Sequence, residues 1–454
     1  MSGKLSQAIK TFGRGGIHPE PQKEATAARP IEDLPPVREV RLPLLQHLGD
    51  PAQPLVKKGE VVRRGQKIAD GGATGAPLHA TIGGRISSID KHPHPTLVMA
   101  PAIIIQAAGG EGTEPLEFPE DPEWRGRPHE EMLDRIKEAG IVGLGGAAFP
   151  TYRKLILPAD ARVDTLLVNG AECEPYLTSD YRLMLGRPEE IVEGAVLMAR
   201  IVGVPHIRIG VESDKLDAGR LLAAAAEAHR GAGQDIEVVP VLTRYPQGAE
   251  RQLVQAVTGR VMPPRTLPYA VGVVVQNVAT AAAVHDAVRF RRPLLDRIVT
   301  VTGPGIQEPK NVRAPIGALL SDLVNFCGGL KDQATRMVAG GPMMGRALPR
   351  LDLPVLKGMN GLVLLTGRGP FEEGYGPCIQ CTRCLDACPL GLEPDQISVR
   401  VEAGRALETE RFGALDCYEC GSCTYVCPSE RPLVQFIQVA KSALKRAGPL
   451  KVIQ

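Results

Sequence analysis

Ten cysteines are the side chains in this chain best suited to bind metal, and eight of them fall between Cys378 and Cys427. They form two blocks, Cys378-Ile-Gln-Cys381-Thr-Arg-Cys384-Leu-Asp-Ala-Cys388-Pro389 and Cys417-Tyr-Glu-Cys420-Gly-Ser-Cys423-Thr-Tyr-Val-Cys427-Pro428. Both read C-x2-C-x2-C-x3-C-P, and each cysteine returns 39 residues later (378 to 417, 388 to 427), so a unit has been duplicated. Three thiolates two residues apart can wrap a tight loop around three corners of an iron–sulfur cubane. The fourth, followed by proline, leaves on a helix and reaches the neighbouring cluster. The spacing therefore predicts two four-iron, four-sulfur clusters with crossed ligands. Cys378, Cys381, Cys384 and Cys427 would hold the first; Cys388, Cys417, Cys420 and Cys423 would hold the second. Zinc is the alternative, but zinc ribbons use paired C-x2-C hooks rather than four cysteines closed by Cys-Pro. Gly421 lets the second loop approach its cluster closely, whereas Arg383 and Asp386 read as solvated surface. The two isolated cysteines, Cys173 and Cys327, read as small packed thiols.

Two further groups of residues suit ligand binding. Gly143-Leu-Gly145-Gly146-Ala147-Ala148-Phe149-Pro150-Thr151 is followed by Lys154. Glycines free backbone amides to converge on an anion, and a helix start and a lysine add positive potential. The loop lacks the Gly-Lys-Ser/Thr of a Walker motif, and a simple tight turn is the alternative. Asn169-Gly170-Ala171-Glu172-Cys173-Glu174-Pro175 follows an apolar run; its carboxylates and amide suit ribose hydroxyls or a flavin edge, with a solvated acidic turn as the other reading. Acid–base catalysis fits less well, since hydride transfer needs no protein proton donor.

The elements that must position these residues alternate. Periodicity predicts helices over 131–139, 188–202, 215–230, 249–257 and 278–288, with Ser213 capping the third. Short apolar runs predict strands over 164–168, 206–211, 236–242 and 271–275. Such alternation argues an α/β layer with a largely parallel sheet, whose ligands lie beyond the carboxyl ends of the strands.

Here the chain resembles a known family. Gly143 to Lys154, Asn169 to Pro175, Tyr245-Pro-Gln-Gly248-Ala-Glu250 and Gln276-Asn277-Val-Ala-Thr280 look like four successive elements of the flavin-binding, NADH-oxidising subunit of respiratory complex I. The resemblance implies non-covalent FMN, with NAD(H) as substrate. It assigns their binding to Gly143, Gly145, Gly146, Lys154, Asn169, Glu172, Glu174, Gly248, Glu250, Asn277 and Thr280. The sequence departs from the family at Ala171, Ala249 and Gln276.

The flanks extend the likeness. Phe12-Gly-Arg-Gly-Gly-Ile-His18-Pro19 is glycine-rich, and 37–98 carries short strands that resemble a biotinyl/lipoyl-type barrel sandwich without its modified lysine. Residues 297–329 resemble the β-grasp module that follows the flavin domain in the same superfamily. This order of parts resembles the RnfC subunit of the Rnf/Rsx electron-transport complex over nearly the whole chain. The expected fold class is α/β multidomain. An N-terminal segment (1–36) precedes a barrel sandwich (37–105) and a linker (106–129). A complex-I-like flavin/NADH domain (130–294), a β-grasp module (295–365) and a helical two-cluster ferredoxin-like domain (366–454) follow. The resemblance implies a peripheral subunit on the cytoplasmic face of the bacterial inner membrane. Its partners would be other subunits of the complex, NAD(H) and, indirectly, ferredoxin, with electron transfer coupled to ion translocation. A soluble flavin iron–sulfur reductase resembling cobalamin reductase, and a relay scaffold using clusters alone, are the alternatives.

Size and charge agree with this. A chain of 454 residues needs several cores, and a net charge of +2 gives no footprint for nucleic acid. The longest apolar stretch is too short to span a bilayer, and residues 1–10 lack a signal-peptide core. His92-Pro-His94 reads as a polar turn rather than a metal site. Leu433–Ala447 reads as an amphipathic helix packed on the cluster domain.

Overall fold

The computed structural model describes residues 4–229, 233–367, 369 and 374–448. At its centre is a five-stranded parallel sheet in the order Lys4–Leu5, Asp235–Val241, His206–Glu212, Thr165–Gly170, Val273–Asn277. Its strands are apolar on both faces because both faces are covered. Leu166, Val168, Ile207, Ile209 and Val238 point to one core, packed by the helices Pro188–Val202, Leu216–Glu227 and Val278–Phe290. Leu167, Val239, Val273 and Val275 point the other way, onto Leu253, Val254 and Val257 of Glu250–Thr258. Two of the helices touch so closely that a Cβ on Gly194 would overlap the Ala281 carbonyl.

The expected helices and strands are present, with informative shifts. The strand predicted over 271–275 is Val273–Asn277, because a 3-10 turn, Pro268–Val271, and Gly272 at φ +77° precede it. Ser213 does not cap the following helix. That helix starts after Lys215, whose ammonium turns back to Glu212 at 2.6 Å, and Ser213 Oγ lies 3.2 Å from Thr243 Oγ1 instead. Arg230, its expected end, lies outside the described residues; the described helix is Leu216–Glu227.

A six-stranded mixed sheet follows, ordered Arg346–Leu348, Ala334–Ala339, Gly361–Thr366, Asp296–Thr302, Lys310–Pro315, Ile31–Asp33. Cys327, at the end of Leu320–Phe326, is fully buried in its core, which pushes its thiol up to about 12. The same apolar core continues into the barrel sandwich through Val40, Leu42, Ile68, Ile86, Ile103 and Ile105. That unit pairs Glu39–Pro43, Val98–Ala107, Gly84–His94 and Val61–Val62 in one sheet, with Gln53–Pro54, Lys67–Asp70 and Leu78–His79 in a second. His92 and His94 end a strand rather than form a turn. His94 Nδ1 accepts the amides of Thr96 and Leu97 (both 3.1 Å), so the turn comes one step later.

The C-terminal part is helical. Leu433–Ala447 buries Leu433, Ile437, Ala440 and Leu444, one stripe of a helix, against Ile397, Ala414, Cys384 and Cys423, as its amphipathic pattern predicts. Among the described residues, no helix is long and apolar enough to cross a membrane.

Candidate functional site

The glycine loop closes on itself at the carboxyl edge of the central sheet. Gly143 N–H donates to the Phe149 carbonyl (2.8 Å) and Ala148 N–H to that of Gly143 (3.1 Å). Buried Thr280 accepts the Leu144 amide at 2.9 Å, and the Arg297 guanidinium donates to the Leu144 carbonyl at 2.5 Å. A Cβ on Gly145 would stand 3.2 Å from that of Asn277, whereas Gly146 (φ +113°) faces open space. Asn277 caps Val278–Phe290 by accepting the Ala279 amide and donates to Asp180 Oδ2 at 2.6 Å. Lys154 lies between Glu250 Oε1 (2.7 Å) and the Val275 carbonyl (3.0 Å). Both side chains of that ion pair are about a third exposed, so it is worth ~0–1 kcal/mol and can yield to a stronger anion. Asn169 donates to the Gly248 carbonyl at 2.8 Å, and a Cβ on Gly248 would overlap the Ala171 carbonyl. Gly143, Gly145, Gly146, Lys154, Asn169, Gly248, Glu250, Asn277 and Thr280 are thus gathered at one strand-end surface.

The two glutamates of the acidic turn behave differently from the expectation. Glu172 is buried, accepting Ser179 Oγ and the amides of Asp180 and Tyr181, which starts the helix Ser179–Gly186. Glu174 accepts the amides of Met343 (3.0 Å) and Met344 (2.9 Å), and burial lifts its carboxyl to about 7. Both side chains therefore hold backbone, a use that composition cannot reveal. Asp180 and Arg297 join the site without a sequence signal. Thr178-Ser179-Asp180 reads as an ordinary helix start. Burial and the neighbouring Glu172 lift the Asp180 carboxyl to about 7, and burial lowers Arg297 to about 10. Cys173 is half-buried; its sulfur accepts the Gly248 amide at 3.3 Å and its thiol is pushed up by burial, as suits a packed thiol.

These residues fit a ligand with an anionic group. The loop at Gly146 is open where a side chain would fill it. Gln276 Nε2 and Thr151 Oγ1 are buried polar atoms with no protein partner, a state that native proteins rarely tolerate without a bound group.

The cysteine loops repeat in backbone as well as sequence. Gln380 and Thr382 (φ +56° and +61°) match Glu419 and Gly421 (φ +63° and +83°), each 39 residues on. The paired left-handed residues bend each loop around its sulfurs. One cavity is lined by Cys378, Cys381, Cys384 and Cys427 together. Burial first, then Cys420, Cys417, Cys388 and Cys384, push Cys423 well above its ordinary value, and burial takes Cys417 to about 12. Backbone amides reach two of these sulfurs, Leu392 to Cys388 (3.3 Å) and Glu419 to Cys417 (3.2 Å). A thiol must lose its proton to bind iron, and the positive charge of the iron would offset the burial that raises these groups. A tetrahedral zinc shell holds each sulfur about 2.3 Å from one ion. Among the described residues, no three His, Cys, Asp or Glu side chains are placed to share one ion.

The second cysteine set adjoins the strand-end surface. Tyr245 O–H donates to the Cys420 carbonyl at 2.5 Å, and Ile17, Tyr245, Ala387, Cys420, Cys173 and Met343 form one small core. The glycine-rich N-terminal segment closes this junction: Gly16 N–H donates to the Ala387 carbonyl (2.9 Å), and Gly15, at φ +68°, lies so near the Cys388 backbone that a Cβ would overlap it.

A glycine-loop α/β surface beside two duplicated cysteine loops is the arrangement of a flavin and iron–sulfur electron-transfer protein. Comparison with known proteins agrees. Residues 136–286 match the Nuo51 FMN-binding domain, 11–110 the RnfC barrel sandwich hybrid domain, 298–347 the SLBB domain and 377–430 the 4Fe-4S dicluster domain. The chain is 42% identical to the RnfC-type subunit of the proton-translocating ferredoxin:NAD(+) oxidoreductase complex of Clostridium ljungdahlii, covering 97% of this chain and 95% of that one. It is 42% identical to the corresponding subunit of the ion-translocating oxidoreductase complex of Rhodobacter capsulatus (97% and 85%). It is 39% identical to that of the Na(+)-translocating ferredoxin:NAD(+) oxidoreductase complex of Acetobacterium woodii (94% and 96%). An NAD+-reducing [NiFe]-hydrogenase in its air-oxidised state shares the fold, with a TM-score of 0.53 at 19% identity over 71% of this chain and 67% of that one. The chain belongs to the RnfC family of subunits of the ion-translocating Rnf oxidoreductase complexes.

Proposed function

We infer that this chain is the subunit of a membrane-bound complex that exchanges electrons with NAD(H) and relays them through two four-iron, four-sulfur clusters. The complex couples electron transfer between ferredoxin and NAD to ion translocation. The observation that carries this reading is the direct contact, in one chain, between the flavin-type strand-end surface and the Cys388/Cys420 side of the cluster domain. FMN supplies the conversion between two-electron exchange with a nicotinamide and one-electron exchange with clusters.

The residues divide the work. The amides of Gly145 and Gly146, in the loop that Gly143 closes, with Lys154 released from Glu250, would hold the phosphate. Asn169, Gly248, Asn277 and Thr280 would fix the loops that flank the ring. Cys378, Cys381, Cys384 and Cys427 would hold one cluster, and Cys388, Cys417, Cys420 and Cys423 the other. The shared cavity of the first four supports this crossed pairing. We place the subunit peripherally on the cytoplasmic face of the bacterial inner membrane, where NAD(H) is available.

The test is anaerobic reconstitution of the full chain, followed by low-temperature EPR, flavin analysis and titration with NADH. Two cluster signals, bound FMN and NADH-dependent quenching of flavin fluorescence are expected. Clusters without flavin or quenching would leave only an electron relay, and zinc in place of iron would remove the reading altogether.

A further inference from the structure

Glu174 occupies the acidic turn that the family resemblance gives to the nucleotide, yet both of its oxygens face another domain. Oε2 accepts the Met343 amide and Oε1 that of Met344. These amides belong to the tight turn of residues 341–345, closed by Gly345 N–H on the Gly341 carbonyl at 2.8 Å. The fit leaves no slack, because a Cβ on Gly341 would overlap the Glu174 carboxylate. On its far side the same turn lies on the second cysteine loop. The Met343 carbonyl is 3.1 Å from the place a Cβ on Gly421 would take, and Met343 packs in the small core with Cys420 and Tyr245. Gly421 is therefore held between the loop it belongs to and a turn whose position one carboxylate fixes.

We propose that Glu174 is a positioning residue for the flavin-facing cluster. Its carboxylate anchors the 341–345 turn against Cys420–Gly421 and does not reach for the nucleotide. The acidic turn, the mixed sheet and the second cysteine loop then move as one body, so that the distance and environment between the flavin surface and that cluster are set together. The proposal rests on the reading that Cys388, Cys417, Cys420 and Cys423 hold a cluster and the glycine loop holds FMN. Glu172 has no part in it, since its oxygens are taken by Ser179, Asp180 and Tyr181.

Two substitutions in the full-length, anaerobically reconstituted chain test it. Glu174→Gln sets an amide donor against one of two amide donors, and Gly341→Ala displaces the same turn without changing charge. Both are expected to alter the EPR line shape and the reduction potential of the flavin-facing cluster while the other cluster keeps its wild-type signal. FMN content should stay at the wild-type level and the NADH dissociation constant should stay within about twofold, well under 1 kcal/mol. A rise of about tenfold or more in that constant for Glu174→Gln, with both clusters unchanged, would make the residue a nucleotide contact and overturn the proposal. So would a cluster shift in Glu174→Gln that Gly341→Ala does not reproduce, since charge alone would then explain it. Loss of FMN in both variants would also overturn it, by placing the turn in the flavin site. Failure of the underlying reading shows separately, as a wild-type chain that lacks the second cluster signal or FMN.

Discussion

The two cysteine loops share spacing and backbone but face opposite surroundings. The Cys388/Cys420 side is enclosed: Cys420 and Cys423 are buried, Tyr245 is 1% exposed, and Gly15, Gly16 and Met343 close over it. Around the other loop, Cys381 is exposed, Ile379 is 62% exposed and Tyr375 43%. Duplication supplied equal cysteine spacing and loop backbone, so a difference in behaviour between the two clusters is expected to come from their environment. Cluster potentials follow hydrogen bonds to sulfur and solvent access, and added negative charge is disfavoured where water is excluded.

The contrast can be broken most severely by removing single ligands. Cys388→Ser should abolish the enclosed cluster and Cys427→Ser the open one, each lowering iron by about half as expected for two equal clusters. Loss of the open cluster's EPR signal in Cys388→Ser would show the pairing is not crossed. Next in size are backbone substitutions. Gly15→Ala brings a Cβ into the Cys388 backbone at positive φ, and should cost about 2–4 kcal/mol in anaerobic denaturant unfolding. Gly404→Ala, at φ +74° in open space, should cost only about 1 kcal/mol and leave both EPR signals unchanged. Equal costs would mean the N-terminal clamp contributes nothing. Tyr245→Phe removes the hydrogen bond to the Cys420 carbonyl and should cost about 1 kcal/mol, with a change confined to the enclosed cluster's signal; the exposed Tyr425 mutated to Phe should change neither. The smallest loss belongs to Lys441→Met, which breaks a partly exposed pair with Glu419 at 2.5 Å and should cost ~0.5–1 kcal/mol, fading in high salt. Without mutation, redox titration should find the enclosed cluster at the lower potential; the reverse order would mean that amide–sulfur bonds outweigh burial.

What could be read in the sequence was local. The dicluster domain lies in a cysteine pattern a few dozen residues long, and a parallel-sheet strand announces itself as an apolar run, so both were legible. The glycine loop was legible because its conformational demand is written in glycine. The roles of Glu172 and Glu174 were not. Their partners are backbone amides, which every residue carries, and for Glu174 they lie 169 and 170 residues away. Ser213 misled for a related reason: a cap is one use of a serine after a strand, and the Glu212–Lys215 pair claimed that turn. Nothing in residues 4–36 announced that they would add an edge strand to one sheet at Lys4–Leu5 and to another at Ile31–Asp33.

That placement has a consequence for how the molecule is built. Lys4–Leu5 pairs with Glu237–Val238, Ile31–Asp33 pairs with 311–313, and Gly16 binds the Ala387 carbonyl. On a ribosome, this stretch emerges early, but its partners at 237–238, 311–313 and 387 are made only much later. The N-terminal stretch is thus an early-made strap that can close only over later-made domains.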